Sequence, residues 1–322
     1  MSITILMDNS TDFLLTNSKH AIRPPFIKND KFVLPPPVAE HGFSALISIP
    51  KSEQNTDSSF LFDTGISENG VIHNADIFGI DLDKVDGIIL SHGQFDHCGG
   101  LINVLKRMVS SPRRISNHNI DIFTHPDAFL RRWEILPDGK RAKSPILDER
   151  QLQQVGAKIH KNAGVNYLPS NKSPLLAISG EIPRDTSFEK GFPYQYIEDP
   201  SNEMNLIPDP LVKDDQAIVA NVLGKGLVIL TGCGHAGVVN TINYAKKITG
   251  INKIHAIIGG FHLPADGGIY EAAIEPTLKE FKEAEPDYLI PCHCTGWKAT
   301  NRIIEAMPEK FIQSSVGTTF QF

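Results

Sequence analysis

Four cysteines in 322 residues are too few for a disulfide framework, and two of them flank a histidine in "PCHC". No run reaches the 18 or more apolar residues of a membrane-spanning helix. There is no block of like charge and no basic stripe, and the net charge of -6 argues against a nucleic-acid partner. The opening "MSITILMDNSTDFLLTN" lacks the basic start and long apolar run of a secretory leader. With so few cysteines, that sets the expectation of a cytoplasmic protein with no membrane partner. No fixed-period repeat marks a solenoid. What the chain does have is an ordinary globular balance, 41% hydrophobic and 21% charged, and 12 histidines.

Short apolar runs alternate with helical patterns, the rhythm of an α/β fold. "SITILMD", "SALISIP", "SFLFDTG" and "DGIILSHG" read as strands, and a Pro-rich loop separates the first two. "LINVLKRMV" carries apolar residues at helical spacing. The region of about 110–210 is the least regular: "DIFTH" predicts a strand, "PDAFLRRW" a helix from Pro126, and "SPLLAISGEIPR" a strand then a loop. "PYQYIEDPSNEMNLIPDPLVKDD" is polar and Pro-bearing and reads as a loop. Beyond it, "QAIVANVLGKGLVIL" is a hairpin, "VVNTINYAKKITG" a helix stopped by Gly250, and "KIHAIIGGFHL" a strand. Then come helix "EAAIEPTLKEFKEAEP", strand "DYLIPCHCTG", helix "NRIIEAMP" and a closing strand "KFIQSSVGTTF". With no clear linker, the expectation is one domain over 1–322, with an irregular insertion at about 110–210.

Five histidines, His92, His97, His235, His262 and His293, fall where a strand runs into a loop. Such loops share one edge of a sheet, so distant residues gather in one pocket. In "SHGQFDH", His92, Gln94, Asp96 and His97 lie on one compact turn. Imidazole and carboxylate suit zinc or iron, and three or four such groups define a site. His293 reads as a further ligand, whereas Cys292 and Cys294 alternate with it and should face away as packing thiols. In "TGCGH", either Cys233 or His235 can supply a donor. His262 suits a ligand, a proton shuttle or a substrate contact. His125 reads as structural, and His20, His41, His73, His118, His160 and His255 have no supporting context.

These residues carry a resemblance. "SHGQFDHCGGL" is similar to the HxHxDH motif of the metallo-β-lactamase superfamily, and "LFDTG" resembles its upstream Asp-Thr-Gly motif. "DDQAIV", "KGLVILTGCGHAGVVNT", "IIGGFHL" and "PCHCTGWKA" resemble a branch named for 7,8-dihydropterin-6-methyl-4-(β-D-ribofuranosyl)aminobenzene-5'-phosphate synthase. The likeness runs from about residue 60 to the C-terminus. It implies a four-layer αββα sandwich with one or two divalent metal ions at one edge of the paired sheets. Zinc comes first, with iron or manganese as alternatives. By that resemblance His92 would bind a first metal, Asp96, His97 and His293 a second, and Cys233 would bridge. Asp63 would brace the ligand loop. The family's intermediate Gly-His motif is missing; "SGEIPR" offers only Glu181 in that region, so His235 is the candidate for that donor.

The departure is Gln94, where the motif has histidine. An amide oxygen is a weaker donor than imidazole, which makes Gln94 a weakened or lost ligand. The leading expectation is a hydrolase that uses metal-activated water on an ester, lactone or phosphoester, with Asp96 and His262 as catalytic residues. The alternative is a transferase joining a dihydropterin-methyl diphosphate to a ribosyl-aminobenzene phosphate, with Arg184 or Lys298 contacting phosphate. A third reading is a non-catalytic metal-binding homologue. In the first two the partner is a small molecule, phosphorylated in the transfer reading; oligomeric state is left open.

Overall fold

The computed structural model describes residues 1–50, 57–110, 119–168, 176–264 and 268–322, without the side chains of 203 and 204. His118 and residues 173–175 of the "SPLLAISGEIPR" strand lie outside the described residues.

Two mixed sheets form the body. The first runs in the order Ala157–Lys161, Ile120–Thr124, Gly87–Ile89, Ser58–Phe62, Ser44–Ile49, Ser2–Met7, Thr319–Gln321 and Ala21–Ile22. Its first four strands are parallel. The second runs Asn166–Leu168, Leu176–Ile178, Ala217–Val222, Gly226–Thr231, Ile254–Gly259 and Tyr288–Pro291, the last three in parallel. Strands buried on both faces need near-continuous apolar runs, and "GLVILT" is buried at every position.

Three apolar clusters define the layers. Ile5, Ile47 and Phe62 of the first sheet meet Ile218, Leu230 and Ile258 of the second between the sheets. The outer face of the first sheet, with Leu61, Ile88 and Ile122, packs on Val104, Leu105 and Met108 of helix Leu101–Val109. The outer face of the second, with Leu227, Ile229 and Ile257, packs on Ile242, Leu278 and Ile303. Those residues belong to helices Val238–Thr249, Gly268–Ala284 and Trp297–Ala306. The expected αββα sandwich is therefore present. Among the described residues no helix is long and apolar enough to cross a membrane.

The middle of the chain corrects the sequence reading. The segment read as a loop contains strands Gln195–Asp199 and Asn202–Pro208, which join Arg132–Ile135 and Arg141–Lys143 in a four-stranded antiparallel sheet. Its prolines bound the strands instead of breaking them: Pro193 precedes the first, Pro200 sits in the turn and Pro208 ends the second. The expected helix in "PDAFLRRW" is only the 3-10 turn Pro126–Phe129. Arg132 is drawn inward to pair with buried Asp214, and its strand follows. The closing strand shrinks to Thr319–Gln321. Helices Gly70–Phe78 and Glu149–Gln154 and strand Ala157–Lys161 were not anticipated.

Phe62 is fully buried between the sheets, its ring edge-on to Phe43 at 6.4 Å. Phe62→Ala should lower unfolding free energy by about 3–5 kcal/mol, read from urea denaturation.

Candidate metal centre

Five of the parallel strands end in loops that deliver a polar residue to one edge of the sandwich. Asp63 follows Ser58–Phe62, His92 follows Gly87–Ile89, and Cys233 follows Gly226–Thr231. His262 and His293 follow Ile254–Gly259 and Tyr288–Pro291. Asp63, His262 and His293 hold φ of 58°, 44° and 49°, a left-handed backbone that costs non-glycine residues about 1–3 kcal/mol each. Gly232 is required by close approach: a Cβ there would lie 2.2 Å from Ser91 Oγ and 3.0 Å from Asp63 Oδ2.

Three groups of donors share Cys233, and two of them are fully buried. In one, the donor atoms of Asp96, His97, Cys233 and His293 all lie within 4.8 Å of one another. His97 Nε2 is 3.2 Å from Cys233 Sγ and 3.2 Å from His293 Nε2. Asp96 Oδ2 is 3.4 Å from His293 Nε2 and 3.6 Å from His97 Nε2. The other group holds His92, Cys233 and His235. Gln94 Oε1 sits between its imidazoles, 3.1 Å from His92 Nε2 and 3.0 Å from His235 Nε2. All six members of the two groups are buried.

The proton inventory makes the fit to cations specific. Asp63 accepts from the Ser91 amide at 2.7 Å, the Ser91 hydroxyl at 2.6 Å and His97 Nδ1 at 2.7 Å. Ser91 has a single hydroxyl proton, so His92 Nδ1, at 2.8 Å, must donate to Ser91 Oγ. His92 is thus locked with Nε2 bare and aimed into the cluster, and His97 presents Nε2 to the same point, open to a cation that displaces its proton. These imidazole nitrogens, the Cys233 sulfur and the Asp96 carboxylate converge in a buried pocket, where divalent cations can replace the protons they share. The donor set of imidazole, carboxylate and thiolate suits a transition metal.

Charge follows the same geometry. Burial and then the neighbouring His97 push His92 down to about 4, so it stays neutral. Burial would lower His97 too, but Asp96 and Asp63 outweigh it and raise it to about 9. Burial alone would raise Asp96, yet His97 and His293 hold it well below the usual carboxylate range. Burial and the adjacent Cys294 raise the Cys233 thiol, so a thiolate there needs a cation beside it.

Several residues that the sequence reading passed over brace this centre. Asp214 accepts from the Gly93 amide at 2.8 Å and pairs with Arg132 at 2.6 Å. Asp215 accepts from the Ala236 amide at 2.7 Å, and Gln216 donates to Leu90 O at 2.8 Å. "DDQ" therefore ties the His92 loop to the His235 loop; three consecutive polar residues before a strand were the available signal. Asp8 accepts from the His293 amide at 2.9 Å, and Asn9 donates to His293 O at 2.9 Å. His41, passed over for lack of context, lies 3.9 Å from Asp96.

The other expected site residues divide. Cys233 and His235 are both in the centre, so the choice between them dissolves. His262 joins Cys233 and Cys294 within 4.8 Å, and its Nε2 lies 3.3 Å from the Tyr270 hydroxyl. Cys292 packs in the core between the sheets, as expected. Cys294 does not face away: the left-handed backbone of His293 breaks the alternation and turns Cys294 toward Cys233. His125 is structural, capping the turn by accepting from the Asp127 amide at 3.1 Å. Arg184 does not present its terminal nitrogens to a phosphate; they donate to the carbonyls of Ile182, Leu211 and Val212. Lys298 is half-exposed and paired with Glu271. Glu181 is exposed, 4.0 Å from Lys213, and in none of the donor groups.

Known proteins share this architecture. Residues 46–153 match the family model described as the metallo-beta-lactamase superfamily. The chain is 31% identical over 287 residues to the 7,8-dihydropterin-6-methyl-4-(beta-D-ribofuranosyl)-aminobenzene-5'-phosphate synthase of Methanocaldococcus jannaschii, covering 88% of this chain and 90% of that one. An uncharacterised protein of the same organism is 29% identical, over 87% of this chain and 92% of its own length. A crystal structure described as a metal-dependent hydrolase of the beta-lactamase superfamily superposes with a TM-score of 0.71 at 22% identity, covering 100% of this chain and 99% of that chain.

Asp63→Asn keeps the shape but loses the carboxylate that fixes two imidazoles. Metal affinity, read by competition with a chelating dye, should fall about 10–100-fold. Asp215 provides a pH test. Burial lifts it from 3.8 to about 6, against the pull of Arg184. Between those values the folded chain holds a proton that the unfolded chain has lost, so stability falls as pH rises through that window. Asp215→Asn should therefore be more stable than the parent at pH 8 and equal to it at pH 4, by thermal unfolding.

Proposed function

This chain belongs to the metallo-β-lactamase superfamily, and we propose that it is a metal-dependent transferase joining a dihydropterin-methyl diphosphate to an aminobenzene. The observation that carries this reading is the similarity to the M. jannaschii synthase along nearly the whole of both chains. The site is compatible with it. Beside the centre, Phe192 stacks on His235 with ring centroids 5.7 Å apart and meets His262 edge-on at 5.6 Å. Tyr270 closes the same wall, 5.1 Å from His262, so a flat ring has aromatic surfaces to lie against.

In this reaction the aminobenzene nitrogen bonds to the pterin methyl carbon as the carbon–oxygen bond to diphosphate breaks. The diphosphate leaves with the electron pair. His92, Asp96, His97, Cys233, His235 and His293 would hold divalent ions, which would supply Lewis-acid charge for that anionic leaving group. The amine proton is released to solvent past His41, which lies 3.9 Å from Asp96, while ionised Asp96 serves as a ligand. His262, beside Tyr270, orients the ring.

A second reading, hydrolysis of an ester, lactone or phosphoester, draws on the same buried donor set, since a divalent ion held there would equally supply Lewis-acid charge for attack by water.

The discriminating experiment incubates the zinc-loaded protein with the dihydropterin-methyl diphosphate and the ribosyl-aminobenzene phosphate. Parallel assays present lactones and phosphoesters. Condensed product with release of diphosphate is the expected outcome, and Asp96→Asn should lower its rate by at least about a hundredfold. Ester or lactone hydrolysis without condensation would put the second reading first.

A further inference from the structure

Gln94 stands where the superfamily motif has histidine, and its surroundings settle which way its amide points. Asp209 has only acceptors: its carboxylate Oδ2 receives Gln195 Nε2 at 2.8 Å. Gln195 must therefore turn its amide nitrogen toward Asp209 and its oxygen the other way. That oxygen receives Gln94 Nε2 at 2.6 Å. Gln94 in turn has its nitrogen committed to Gln195, leaving Oε1 between His92 Nε2 and His235 Nε2. Reversing Gln195 would set nitrogen against nitrogen and oxygen against carboxylate, and reversing Gln94 would set oxygen against oxygen. Gln195 is fully buried and Gln94 nearly so, and no solvent competes for these contacts.

His92 Nε2 is bare, because its Nδ1 proton goes to Ser91. His235 Nε2 can donate to this oxygen, but the bare His92 Nε2 cannot, and a cation at this point would draw on all three atoms. We propose that Gln94 Oε1 is a true ligand of the first metal position, and that Gln195 and Asp209 are positioning residues that hold the amide oxygen inward. This rests on the reading of the cluster as a metal centre. The first position then takes a divalent cation on two imidazoles, a neutral amide oxygen and the Cys233 thiolate. The second has the Asp96 carboxylate in addition to His97, His293 and the shared thiolate. An amide oxygen is the weaker donor, so the second position fills first and the first position holds the exchangeable ion.

The relay also gives the inserted four-stranded sheet a role. Gln195 begins one of its strands and Asp209 follows another, so the sheet reaches into the centre and sets one ligand.

The test is a double-mutant cycle on the full chain, titrated with cobalt(II) and followed by its absorption bands and by bound-metal stoichiometry. The parent should load in two steps. Gln195→Leu should weaken the first position about 10–100-fold and leave the second unchanged, which also reports that the variant is folded. Gln94→His should tighten the first position. In the Gln94→His background, Gln195→Leu should alter it about twofold or less, since imidazole needs no amide relay.

Unchanged first-position affinity in Gln195→Leu would overturn the proposal, as would an equal loss in the double variant. Loading of the second position alone, unaltered by Gln94→His, would overturn it while leaving the metal-enzyme reading intact. No cobalt binding at all would sink both. A parent that loads in two steps and obeys the cycle, yet makes no condensed product, would remove the transferase reading only.

Discussion

The Asp63 carboxylate is the contact on which the centre depends. It sits fully buried at the end of a strand, in a backbone conformation that only surrounding structure can hold. From there it fixes the ring of His97 directly and that of His92 through Ser91. One acceptor thus sets the tautomer of two imidazoles on opposite positions of the cluster. Gly232 belongs to the same arrangement, because the second sheet can bring Cys233 up to Ser91 only where no side chain intervenes.

The two halves of the sandwich make different contributions. The first sheet supplies His92, Gln94, Asp96 and His97 from one continuous turn. The second supplies Cys233, His235, His262 and His293 from three separate strand ends. What aligns the two sets is a layer of polar residues with no chemistry of their own. "DDQ" joins the His92 and His235 loops, Asp8 and Asn9 hold His293, and Gln195 with Asp209 turns the Gln94 amide. The stability given up in burying these polar groups is offset because each has a partner of matching type.

The α/β rhythm and most of the donors were legible from the sequence because strand-to-loop histidines and apolar periodicity are local signals, whereas the sandwich itself was implied by the motif resemblance. His92, Asp96, His97 and His293 announce themselves by spacing, and Cys233 and His235 by the "TGCGH" turn. The rest depends on tertiary contacts that no local pattern encodes. Cys294 was misread because alternation assumes an extended backbone, and His293 leaves it. The inserted sheet was misread because its prolines, which end strands, look the same in sequence as prolines that prevent them. Arg184 looked free in sequence, yet its terminal nitrogens are spent on carbonyls. Gln94 looked like a loss because its partner lies 101 residues away on that unrecognised strand.

The hold of Asp8 and Asn9 on His293 spans 284 and 285 residues of chain. The last donor is therefore oriented by the end of the first strand. The centre is complete only when segments far apart in the sequence have packed together, which makes metal binding a reporter of the long-range fold.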